Sequence, residues 1–205
     1  MSYSATPFKW LLLSAVFLLG VWFLSNELVY SMFRDRSAEP LLRTAVLIIH
    51  LLVTLPLLLL PPVQFSRRIR ARWPTWHRYA GRFYLSAAML AAVTAIYLGF
   101  SFEDVGRRVP LCLFALLWLV FSIQAWRYAH RRAFTLHEKF VIRSYTVALA
   151  FVLVRLMGEF QQPLLGFIPQ GEVRDVTREW LSFVLPLLAV ECWFAWKMPT
   201  GVVKR

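Results

Sequence analysis

The sequence predicts an all-α protein, a polytopic membrane helix bundle of about six transmembrane helices with both termini in the cytoplasm. Three observations predict it. The 205-residue chain is 59% hydrophobic with a mean hydropathy of +0.57, whereas soluble domains are nearer half apolar. Its apolar residues come in blocks of roughly 20, the length a helix needs to cross a hydrocarbon core. Its formal charge of +12 gathers in the connections between those blocks. The connections are short and leave no room for a separate soluble domain of ~100 residues, so residues 1–205 read as one integral-membrane domain.

The first run covers residues 8–32. Leu11 to Leu24 would suit a signal-peptide core, but Ser25, Asn26 and Glu27 offer no small-x-small cleavage site and apolar residues resume at Leu28. It reads as an uncleaved helix. The second run, 41–65, contains Pro56, which should kink it, and Pro61-Pro62, which should end it. A basic loop follows: Arg67 to Arg82 holds six arginines and no acid. The third run is 79–100, rich in alanine and aromatics. The fourth is 110–128, with Pro110 suited to a first helical turn. A second basic loop holds Arg127, His130, Arg131, Arg132, His137 and Lys139. The fifth run is 140–160. The stretch from Gln161 to Arg178 carries Pro163, Gly166, Pro169 and Gly171 and reads as turns or a short interfacial segment. The sixth run is 180–196.

In an alternating topology the two basic loops share a side with Lys9, Lys197, Lys204 and Arg205. The other connections mix Asp35, Glu39, Glu103, Asp104, Glu172, Asp175 and Glu179 with their arginines. The positive-inside rule then puts both basic loops and both termini in the cytoplasm, in the cell (inner) membrane. Topology and attraction to anionic lipid heads account for the net charge. Cations spread between apolar runs, rather than on one amphipathic face, argue against nucleic acid as a partner; the lipid bilayer is the expected one. Cys112 and Cys192 form no metal-ligand spacing, and their expected depths differ by ~20 Å at 1.5 Å per residue. A disulfide is excluded at that separation.

Ionisable residues inside a bilayer are costly, so each is a candidate site. They sort into two layers. The inner layer holds His77 and His137 at the mouths of the third and fifth helices, Arg82 and Arg143 one to two turns deeper, Gln124, and Glu191 on the sixth helix. Glu191 is too deep to be a free surface acid, and Arg82 or Arg143 would explain it. An arginine near a helix end also reaches water by snorkelling. Gly81 would let another helix or a ligand approach closely. The outer layer holds Glu27, His50, and Arg155 with Glu159, four apart on one face. His50 reads equally as a core imidazole bonded to a neighbouring helix. A weak repeat links His77-x4-Arg82-x-Tyr84 to His137-x5-Arg143-x-Tyr145.

Soluble-enzyme signatures are missing: there is no phosphate-binding glycine loop, no Gly-x-Ser-x-Gly, no His-Glu-x-x-His and no Cys-x-x-Cys. The ordered set of His50, the Gln64-Phe65 end with its arginines, His77-x3-Gly81-Arg82, His137 with Ile142-Arg143-Ser144-Tyr145, and Arg155 resembles an uncharacterised bacterial multi-pass membrane family, domain of unknown function twenty-three-oh-six. The resemblance covers about Arg43 to Gly158. Phe140 departs from it, standing where a Trp is expected and followed by Val141-Ile142 instead of a Met. The resemblance implies a multi-pass membrane protein with histidines and arginines as functional positions, and it brings no activity.

Three functional readings follow. The first is a cofactor or small-molecule site in the bundle, with redox as its leading version: His77 and His137 ligate a haem and arginines hold its propionates. Quinone binding near His50 is a variant. The second is a transporter or anionic-lipid binder in which Arg82 and Arg143 hold an anion. The third is a structural subunit. In the first reading His77, Arg82, His137 and Arg143 converge with Glu191 on one pocket open to the cytoplasm, with His50 and Arg155 as further candidates. Catalytic residues, substrate and oligomeric state are not legible in the sequence.

Overall fold

The computed structural model describes Leu18, Val21, Trp22, Ser25, Asn26 and residues 39–197, apart from the side chains of Leu55, Leu59, Pro62 and Lys197. Seven helices are delimited among the described residues: α1 (Leu41–Gln64), α2 (Arg67–Arg72), α3 (Pro74–Phe100), α4 (Val105–His130), α5 (Phe134–Glu159), α6 (Gln161–Leu165) and α7 (Glu172–Lys197). Of these, α1, α3, α4, α5 and α7 are long and apolar enough to cross a membrane. They are the second to sixth expected crossings, and the all-α membrane fold stands. The expected first helix, with Glu27 on it, falls outside the described residues except for five helical positions.

Several helices begin earlier than the apolar blocks suggest, each for a local reason. α3 begins at Pro74 rather than Tyr79, because proline at a first helical position forfeits no hydrogen bond. The basic stretch is therefore not a loop: it is α2 followed by the first turns of α3. α4 begins at Val105, where the Asp104 carboxylate caps the helix by accepting from the Gly106 N–H at 2.8 Å. Pro110 consequently sits inside α4, not in its first turn, and Cys112 lies two turns in. α5 begins at Phe134, just after Arg132 takes φ 55 and turns the chain away from α4. α7 begins at Glu172, after Gly171 at φ 127, a conformation that suits glycine. Glu172 and Asp175 in its first turn favour the positive end of the helix dipole. The Pro61-Pro62 pair falls in the last turn of α1, which runs on to Gln64 before the Phe65 N–H bonds the Pro61 carbonyl at 2.9 Å.

The chain forms two compact units, Met1–Ala91 and Ala92–Arg205. In the first, Ala87, Ala88 and Ala91 are buried on one face of α3, and α1 buries Leu57 and Leu58. In the second, α4, α5 and α7 pack on one another around aromatic rings. Phe114 stacks on Phe183 at 4.4 Å, and Phe151 meets Phe183 edge-on at 4.9 Å. The α4–α5 seam is closed by small residues and satisfied polar groups. Ser122 and Ser144 share a hydrogen bond of 2.9 Å, and the Trp118 indole N–H donates to Ser144 at 3.2 Å. Such bonds hold helices together where no water competes. Both cysteines are free, as the depth argument requires.

Candidate functional site

The expected inner layer divides between the two units: His77 and Arg82 belong to the first, and His137, Arg143 and Glu191 to the second. In the first unit His50, ten residues into α1, sets its ring Nδ1 3.1 Å from the Ala91 carbonyl. A carbonyl only accepts, so Nδ1 carries the proton and Nε2 the lone pair. His77 is half-buried in the first turn of α3. Arg82 is exposed, with its guanidinium 5.8 Å from the Tyr79 ring. The tight approach expected at Gly81 is not there. A methyl at that position would meet Gln64 Oε1 at 4.0 Å, an ordinary contact, because α1 presents a side-chain tip there and not backbone.

In the second unit His137 stands one turn inside α5. Its Nδ1 lies 2.8 Å from the Ala125 carbonyl of α4, which again places the proton on Nδ1 and the lone pair on Nε2. His137 and Ser144 share the face that meets α4. Arg143 binds Glu191 of α7 through two parallel bonds, Nε to Oε1 at 2.6 Å and Nη2 to Oε2 at 2.7 Å. The same guanidinium lies 5.0 Å from the Phe140 ring and 4.9 Å from the Phe194 ring. The buried Lys139 brings its Nζ to 5.6 Å from the Phe194 ring. Glu191 therefore has the arginine partner its depth demands, and two donor positions of Arg143 are committed to it. Arg155 and Glu159 are exposed near the end of α5, and Gln124 accepts from Arg127 at 3.4 Å.

A second charged cluster escaped the sequence reading. Glu179 counts there as a connection acid, yet α7 starts seven residues earlier and carries it into the bundle. Its side chain is 1% exposed. Oε1 accepts from Arg107 Nε of α4 at 2.8 Å and lies 4.0 Å from Arg178. Oε2 is buried without a hydrogen-bond partner among the described residues. Arg178 also pairs with Asp175 at 3.1 Å and donates to Gln161 of α6 at 3.0 Å. The signal was present in the spacing: Val176, Glu179 and Phe183 fall at three and four residues, on one helix face.

Residues 47–194 match the family described as "Predicted membrane protein (DUF2306)". The chain belongs to this family. Every site residue from His50 to Glu191 lies inside the match. The description states a membrane protein and names no activity. No curated protein and no solved structure matches the chain.

Among the described residues, no three His, Cys, Asp or Glu side chains gather as a bare metal ion would need. The α4–α5 seam beneath His137 is filled by Trp118, Ser122 and Ser144, all buried.

Proposed function

We propose that the protein is a membrane-embedded redox protein that holds a haem through the His137 imidazole. The 2.8 Å bond from Nδ1 to the Ala125 carbonyl supports this reading. It fixes the tautomer and the ring plane, as a backbone acceptor does for metal-bound histidines. The Arg143 role in holding propionates passes to Arg127, Arg131 and Arg132, which stand at the same end of α4 and α5. A bound haem supplies one-electron transfer at its iron. The chain's own residues orient the ligand and keep the apolar seam closed to water. The transporter reading has less support, since it assigns Arg143 to an anion while Glu191 occupies it. The His137 end faces the cytoplasm in this reading, so reporter fusions after Phe65 and Tyr128 report cytoplasm.

An absorption spectrum of detergent-purified protein from iron-replete cells tests the proposal. A Soret band that disappears in a folded His137→Ala variant is expected. A wild-type spectrum without one overturns it.

A further inference from the structure

We propose that the junction of α1, α2 and α3 is a binding site for one anionic phospholipid. Between Glu39 and Glu103 the sequence has seven arginines and no acid. Within that stretch the structure forms a cavity of about 600 Å³, bounded by Val63 at the end of α1, Ile69 and Arg72 of α2, and Trp73, Thr75 and Trp76 leading into α3. That volume is ordinary for a ligand site, and so is a mostly apolar wall with one placed charge.

The chemistry of the walls selects the occupant. Arg72 is the one charged residue of the lining among the described residues, and its guanidinium sits 5.6 Å from the Trp73 ring, which holds it at the rim. A guanidinium pairs with a phosphate through two parallel bonds. Trp73 and Trp76 are 55% and 42% exposed. Indoles left open beside a membrane helix belong at the headgroup level, where one part of the ring meets apolar chains and the other meets water. Val63, Ile69 and Pro74 offer the apolar wall that the first methylenes of an acyl chain need. A zwitterionic head brings its own cation, and no carboxylate stands between residues 39 and 103 to receive it. Among the described lining residues an anionic head meets the Arg72 guanidinium and no carboxylate. The site is independent of the haem reading and survives its failure.

The test counts lipids retained on the purified full chain by native mass spectrometry, with phosphatidylglycerol or phosphatidylcholine supplied. Wild type retains phosphatidylglycerol in preference. Arg72→Gln lowers that retention about fivefold, the effect of one arginine near an anionic surface. Arg67→Gln, outside the lining, changes it less. Thr75→Trp keeps every charge and fills the cavity, and it lowers retention at least as far as Arg72→Gln. All three positions are exposed, so folding is retained and is checked by circular dichroism. Equal retention of the two lipids by wild type overturns the proposal. So does a loss in Arg72→Gln that Arg67→Gln matches, or one that Thr75→Trp does not share, because either leaves only general surface attraction.

Discussion

Glu179 and Glu191 lie twelve residues apart on α7, about 18 Å by helical rise, and each is held by an arginine of a neighbouring helix. Their surroundings differ. The Glu191 side chain is 49% exposed and is gripped through both oxygens by Arg143. The Glu179 side chain is 1% exposed and is gripped through one oxygen by Arg107, with the other oxygen buried and without a hydrogen-bond partner among the described residues. The well-made pair is the open one. Its geometry is good and its outer face is open; where that face meets headgroup water rather than hydrocarbon, such pairs contribute about 0–1 kcal/mol. The incomplete pair is the one whose loss is costly, because removing one partner strands a charge in a dry interior. The difference teaches that hydrogen-bond count does not rank these two sites; burial does.

The largest effect tests that ranking. Arg107→Met removes the main partner of a buried carboxylate and is expected to destabilise the protein by ~3–5 kcal/mol, read as thermal unfolding in detergent. Adding Glu179→Gln to it should restore more than half of the loss. No recovery would break the comparison, since packing and not charge would then explain the cost. Gly106 comes next, at the same end of the bundle. A methyl there would stand 2.8 Å from Val176 Cγ2 and 2.9 Å from Glu172 Oε1 of α7. Gly106→Ala should cost ~1–3 kcal/mol by overpacking, whereas Gly81→Ala, with only the 4.0 Å contact, should be neutral or gain up to ~1 kcal/mol. Equal effects of the two would mean that the buried end is no tighter than the rest. Arg143→Ala sharpens the other side, with an expected loss of ~1 kcal/mol or less; a loss as large as that of Arg107→Met would contradict the ranking. Trp118→Phe deletes the indole bond to Ser144 and should cost about 0.6 kcal/mol beyond packing, as single bonds between membrane helices do.

The fold class and five of the expected crossings were legible because apolar length is a one-dimensional signal. The starts of α3, α4, α5 and α7 were not, because they depend on residues that a hydropathy reading assigns to loops, whereas α1 begins at Leu41 as expected. Asp104 caps α4, and Glu172 with Asp175 opens α7, so acids counted as connections are helical. Glu179 was lost by that error alone. The Arg143–Glu191 pair was legible, since depth matching asks for it and few arginines sit at the right level. Arg82 was the competing candidate, and nothing in the sequence chooses between the two. The tether from His137 to the Ala125 carbonyl could not be read at all, because a backbone acceptor leaves no mark on residue identity.

The central claim is that this tether prepares Nε2 of His137 to ligate a haem iron. The most direct measurement is the haem-to-protein ratio by pyridine haemochrome, for wild type, His137→Ala and His130→Ala, purified alongside one another. His130 is an exposed neighbour whose Nδ1 bonds the Trp126 carbonyl of its own helix at 3.0 Å. The account predicts haem in wild type and in His130→Ala, and none in a folded His137→Ala. Wild type without haem, or a His137→Ala variant that keeps it, would contradict the account.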